Sequence, residues 1–355
     1  MGISRLLFGD RITYQREARN NAPAIGTSSP QRALIKGAIV VAGLSAGLAT
    51  VISISFIWRQ GSGGWPVISI PLLLVALFPA ATSYFLRLLR WHFLLQRVAG
   101  NVPLLSSLRI QSTGFALGTT PGRIGEALKF YLVERVCAVS AVRAGPVLII
   151  ERLSDAIGLA TIAFLGIILA AHDAFTAGFL LHDVAIPIGL LVLVVIVAMR
   201  SQWISSILSN RLRRWGPMLA EFFSANRRLL LSIALPQAIG LTLIARLCDA
   251  LTVYITASAL GLSISYPQAS VLLGTAGVAG GISLLPGGLG ASETVMVGLL
   301  VGFGASASVA LSITFLARLF TYWLWVAIGF ASLPSMLHRF TKGTEDAYLP
   351  GIHPS

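Results

Sequence analysis

The sequence predicts an all-α, polytopic helical membrane protein, with about six full spans plus two re-entrant helical hairpins in an inverted repeat. Three observations predict it. Charged residues make up 11% of the chain, against about 25% in soluble domains, and mean hydropathy is +0.83. Apolar runs long enough to cross the ~30 Å hydrocarbon core recur, and basic links alternate with links nearly free of Lys and Arg. Two Pro-Gly motifs, TTPGRIGE (Thr119 to Glu126) and LPGGLGASE (Leu285 to Glu293), interrupt segments that are not simple spans.

A basic arm, residues 1–32, comes first. It is not a secretory signal peptide, because the apolar run that follows starts near Ala33 and is too long for an h-region. Full spans are expected at 33–57, 67–89, 145–171, about 176–199, 236–260 and 306–335. Residues 104–137 and 267–303 read instead as pairs of shorter helices broken at the Pro-Gly motifs. Such breaks are tolerated at membrane depth only where the backbone is buried in protein or lines a wet cavity. The repeats cover about 67–171 and 236–335, joined through a basic amphipathic link, 200–228. A short tail, 339–355, follows a single transmembrane domain, 33–338.

Orientation follows from the basic residues. They cluster before the first span (Arg5 to Lys36), between the second and third (Arg87 to Arg143), after the fourth (Arg200 to Arg228) and in the tail (Arg339, Lys342). The intervening links hold Arg59 or nothing. Both termini are therefore expected in the cytoplasm, with the first hairpin entering from inside and the second from outside.

Net charge is +13, yet the basic residues lie mostly between apolar runs and no nucleic-acid-binding motif is present, so anionic lipid is the expected partner. Two cysteines, Cys137 and Cys248, permit no disulfide framework or zinc spacing. His172-Asp173 and His182-Asp183 read as solvated interfacial pairs, so neither metal nor cofactor is expected.

Charges within the apolar runs mark the candidate site, because a charged side chain costs at least ~2.5 kcal/mol at the bilayer centre. Span three carries Glu151, Arg152 and Asp155; the acids, four apart, share a helix face. Span five carries Arg246 and Asp249, three apart, which read as a local structural ion pair. Span six carries Arg318 without an acid of its own, so its partner is Glu293 or a ligand. Pro121, Gly122 and Gly125 shape the first motif, and Pro286, Gly287, Gly288 and Gly290 the second. A helix starting near Ile124 would present free N–H groups beside Arg123 and Lys129, an arrangement suited to phosphate. Glu126 would cap that helix or titrate, and Glu293 is its counterpart in the second motif.

These residues carry a family resemblance. LRLLRWHFLL (Leu86 to Leu95), TTPGRIGEALKFYLV (Thr119 to Val133), ERLSDAIGL (Glu151 to Leu159), LLPGGLGASE (Leu284 to Glu293) and LARLF (Leu316 to Phe320) resemble the membrane domain of lysyl-phosphatidylglycerol synthases and its stand-alone, flippase-like relatives of UPF0104 type. The resemblance implies a bacterial inner-membrane protein that handles lipids and moves one between leaflets. About 17 residues follow His338, too few for the soluble aminoacyl-transfer domain of those synthases, so that activity is not expected.

Three functions fit. A lipid translocator would hold an anionic headgroup at Arg123 and Lys129 and guide it past Arg152 and Arg318, with Glu126 and Glu293 gating or coupling protons. A membrane enzyme on a lipid-linked substrate would use Glu126 with Glu151 as a carboxylate pair, although no HExxH, serine–histidine or aspartate-rich metal motif is present. An accessory scaffold would dock a lipid-synthesis enzyme through the basic N-terminal arm.

Overall fold

The computed structural model describes residues 69–120, 126, 128–137, 139–170, 216–283 and 285–341. The expected spans 33–57 and 176–199, the N-terminal arm, most of the tail, residues 200–215 of the link and the Pro121–Gly125 tip of the first motif lie outside these residues. The described residues are helical throughout, without strands.

Helix α1 (Ile70–Ala99) starts with a proline in its first turn, where the missing N–H costs nothing, and ends at Gly100 with φ 75°. At 30 residues it is ~45 Å long and overruns a bilayer core. Helix α2 (Leu104–Leu117) follows Pro103, and the hydroxyls of Thr119 and Thr120 donate to the carbonyls of Ala116 and Leu117 beyond its end. Helix α3 (Leu128–Cys137) leads to α4 (Ala141–Leu169), capped by the Ser140 hydroxyl.

After α5 (Gly216–Leu230), whose last turn holds Arg227 and Arg228, the pattern recurs. Helix α6 (Ala234–Ala259) is long and apolar. Helix α7 (Tyr266–Ile282) opens on a Ser265/Gln268 capping box. A 3₁₀ turn at Pro286–Gly288 separates it from α8 (Ala291–Gly302). The last path is α9 (Ala307–Arg318), a π-turn at Leu319–Trp323, and α10 (Leu324–Thr341).

Among the described residues, four helical segments are long and apolar enough to cross a membrane: Ile70–Ala99, Ala141–Leu169, Ala234–Ala259 and Ala307–Ser332. They fall on four of the six expected spans, and the chain is a polytopic helical membrane protein. The two segments expected to be broken are broken, each into two short helices around its Pro-Gly motif.

Element order therefore runs long, short, short, long in both 70–169 and 234–341. The contacts between these halves are reciprocal. Opening helix α1 packs on opening helix α6; closing helix α4 packs on hairpin helix α7, and closing helix α10 packs on hairpin helix α2. Both hairpin contacts are backbone-close. A Cβ at Gly274 of α7 would lie 2.6 Å from Ala163 Cβ of α4, and Gly329 of α10 abuts Ser112 and Ala116 of α2. Close approach of this kind drives helix association where lipid removes the hydrophobic incentive.

Two apolar clusters form: Trp91, Leu95, Ile110, Val147 and Ile150 of the first half, closed by Ala234 and Ala238 of α6, and Val253, Leu272, Leu300 and Ile313 of the second. Large apolar side chains such as Phe78, Leu74 and Leu169 face outward, while Glu151 is fully buried. That inversion is what a lipid solvent selects.

Candidate functional site: a charged cavity between two helical halves

A cavity of about 140 Å³ lies between the halves. Its walls carry Arg87, Arg90, Lys129 and Arg152 from the first half and Arg246 and Arg318 from the second. Glu126, Asp155 and Asp249 line it too.

Helix α4 organises the first-half charges, because Glu151 and Asp155 lie one turn apart on it. Glu151 has 0% exposure. Its carboxylate accepts from Lys129 Nζ at 3.1 Å, Gln111 Nε2 at 3.1 Å and Arg90 at 3.5 Å. Lys129 also lies over the Trp91 ring, 4.6 Å from its centroid. Gly114 leaves room for the lysine stem; a Cβ there would overlap it.

Arg90 is the hub between halves. It donates to both Asp155 oxygens, at 2.9 and 3.4 Å, to Ser154 Oγ at 3.1 Å, and to Thr242 Oγ1 of α6 at 2.5 Å. Asp155 takes two further arginines, Arg246 at 3.3 Å and Arg152 at 3.5 Å. Arg152 reaches Glu126 at 3.6 Å, and Arg87 pairs with Asp249. In the second half Arg318 donates to Glu293 Oε1 at 2.8 Å and to the Gly287 carbonyl at 2.8 Å, with its guanidinium 4.8 Å from the Tyr322 ring. The second motif owes its shape to Gly287, Gly288 and Gly290, at φ 61°, 70° and 81°.

Six cations thus meet five carboxylates, counting Glu151 and Glu293 with the cavity-lining acids. Isolated, any one of them would cost several kcal/mol to bury. Among the described residues they give the cavity a small positive excess, a setting that favours an anion.

The residues singled out from sequence divide as follows. Glu126, Lys129, Glu151, Arg152 and Asp155 share one network, and Glu293 with Arg318 forms a second cluster on the same cavity. Arg123, Pro121, Gly122 and Gly125 lie outside the described residues.

The structure adds partners and positions that the sequence did not supply. The helix after the first motif is described from Leu128 onward, and Glu126, just ahead of it, is paired with Arg152. Lys129 is consumed by Glu151 and is no bare anion clamp. Arg87 lies in the opening span as expected, and α1 runs on to Ala99, so Arg90, placed in the link after residue 89, is a helix residue too; both enter the ion network. Arg246 does pair with Asp249, at 3.5 Å, but it also crosses to Asp155, while Asp249 takes Arg87. The i, i+3 spacing of Arg87 and Arg90 within LRLLRWHFLL was the available signal that they share one buried helix face. Glu126 and Glu151, the carboxylate pair of the enzyme reading, each have their own cation, Arg152 and Lys129.

Residues 34–329 match the sequence model described as the lysylphosphatidylglycerol synthase TM region. The chain belongs to this family. It is also similar to two proteins of Methanothermobacter thermautotrophicus, each named UPF0104 membrane protein. One is 34% identical over 89 residues, 25% of this chain and 27% of the relative. The other is 32% identical over 123 residues, 34% of this chain and 36% of the relative. The matches therefore span about a quarter and about a third of those relatives' lengths. In this member of the lysylphosphatidylglycerol synthase TM-region family, the matched residues include every charged side chain lining the cavity.

Proposed function

We propose that the protein is a lipid translocator, moving an anionic phospholipid or related lipid between the leaflets of the bacterial inner membrane. The observation that carries this reading is the cavity between the halves, into which both halves place cations. An anionic headgroup entering it exchanges water for arginines, while the acyl tails stay in lipid along the apolar outer surface.

In this reading 67–171 and 236–335 are inverted repeats, and the short helix pairs are re-entrant hairpins. The reciprocal packing of α4 on α7 and α10 on α2 supports a pseudo-two-fold relation. Residues 33–338 form the transmembrane domain, with a basic arm at 1–32, the link at 200–228 and the tail at 339–355 all cytoplasmic. The lipid leaves chemically unchanged, and a lipid-synthesis enzyme on the cytoplasmic side is the natural donor.

Reconstitution into vesicles with a headgroup-labelled anionic lipid tests the reading. Leaflet exchange, followed by quenching the outer label, is expected to exceed that of empty vesicles several-fold, with the lipid recovered intact. Exchange no faster than in empty vesicles, with and without a proton gradient, overturns it. A modified lipid product points to the enzyme instead.

A further inference from the structure

The six cavity cations are not equally committed. Arg318 makes two donations at 2.8 Å. Arg90 reaches four side chains, Glu151, Ser154, Asp155 and Thr242. Lys129 is closed off by Glu151, and Arg87 is bound to Asp249. Arg152 and Arg246 differ from all of these. Among the described residues, the ion pairs that either makes lie between 3.3 and 3.6 Å, at the long end for a charge-assisted contact. The Nε of each is buried without a partner, as is that of Arg90, but Arg90 spends its other nitrogens on contacts at 2.5 to 3.1 Å. A guanidinium has five donors, and these two spend few of them well.

Their placement is also particular. Arg152 comes from α4 in the first half and Arg246 from α6 in the second, and both line the cavity. Both lean on one carboxylate, Asp155, whose closest partner is Arg90 at 2.9 Å. Arg152 is the most open of the paired cations, with 36% of its side chain exposed. One carboxylate, already bidentate to Arg90, cannot satisfy two more forks. A carboxylic acid ligand offers two coplanar oxygens, suited to one fork. A phosphate offers oxygens in several directions, suited to forks arriving from two helices.

We propose that Arg152 and Arg246 form a two-pronged site for a phosphate group, bridging the two halves, with Asp155 as the resident counter-ion that the phosphate displaces from them. The site rests on the anionic-lipid reading above and names the group recognised. Arg90 keeps Asp155 in place throughout, so the carboxylate stays ready to retake both arginines when the ligand leaves.

The test is calorimetric titration of the full chain in maltoside micelles. The titrants are dihexanoyl-phosphatidylglycerol below its micellar concentration, inorganic phosphate, and hexanoate as the carboxylate control. Wild type is expected to bind a phosphate-bearing titrant at least tenfold more tightly than hexanoate. Arg152→Gln and Arg246→Gln each weaken that binding about tenfold or more, the scale of a charged hydrogen bond. Arg246→Lys, which keeps the charge and loses the fork, weakens it several-fold. Arg97→Gln, on an exposed position of α1, leaves it unchanged. Asp155→Asn tightens it several-fold because the competing anion is gone, an outcome that a purely structural role does not produce.

Folded Arg152→Gln and Arg246→Gln proteins binding like wild type, or hexanoate binding as tightly as the phosphates, overturn the site. So does wild type that binds no phosphate. If a glutamine variant does not fold, Arg246→Lys and Asp155→Asn carry the test; unchanged affinity in both overturns the site. Inorganic phosphate binding as tightly as the lipid supports the site and assigns it to free phosphate, at the expense of the translocator reading. Binding without leaflet exchange likewise upholds the site while the translocator reading fails.

Discussion

Lys129 and Glu151 form an ion pair at 3.1 Å in which neither side chain is more than 3% exposed. Removing one partner of such a pair strands the other charge in a low-dielectric interior, at a cost of about 3–5 kcal/mol. Lys129→Met is therefore expected to lower the midpoint of thermal unfolding in detergent markedly, followed by helical circular dichroism. Lys129→Met combined with Glu151→Gln should melt higher than Lys129→Met alone. A single variant that melts like wild type would show that the pair does not hold the first hairpin.

Arg87 and Asp249 join the opening helices of the two halves. A double-mutant cycle with Arg87→Gln and Asp249→Asn is expected to give a coupling of about 1–3 kcal/mol in stability. Strictly additive effects would mean that the Arg87–Asp249 pair does not help to hold α1 on α6.

Gly287 adopts φ 61°, and a Cβ there would lie 2.7 Å from the Tyr322 hydroxyl. Alanine at this position bears both the left-handed backbone cost of about 1–2 kcal/mol and that clash. Gly261, at φ 78°, has open space around its missing Cβ. Gly287→Ala is expected to destabilise the protein more than Gly261→Ala, as read from the two melting midpoints. Equal effects would show that Tyr322 yields.

Arg318 ties the second hairpin together through Glu293 and the Gly287 carbonyl. Arg318→Lys cannot make both contacts with the same planar fork. Under the translocator reading, leaflet exchange should fall about tenfold with a smaller loss of stability, since one hydrogen bond to a charged group contributes about 1.5–3 kcal/mol. Exchange at the wild-type rate would remove Arg318 from the lipid path.

Much of this organisation was legible in the chain. Apolar run lengths located the four long helices within a few residues at most ends, although α1 runs ten residues past its expected end at 89. The Pro-Gly motifs marked the two breaks, because proline and left-handed glycine are local requirements of the backbone. Glu293 was one of two partners named for Arg318, since span six carries no acid to neutralise it.

By itself, then, the sequence determined the solvent of this protein, the long–short–short–long order of each half, and the side chains that must find counter-charges inside it. Those properties follow from composition, run length and backbone chemistry within a few residues. Only the tertiary structure decided how the charges are matched. Arg90 meets Glu151, Asp155 and Thr242 across 61, 65 and 152 positions, and Arg246 meets Asp155 across 91. Helical periodicity says which residues share a face, but not which face of another helix lies opposite. That choice is made by close packing of the halves, and it closes off Lys129 while leaving Arg152 and Arg246 turned toward the cavity with donors to spare.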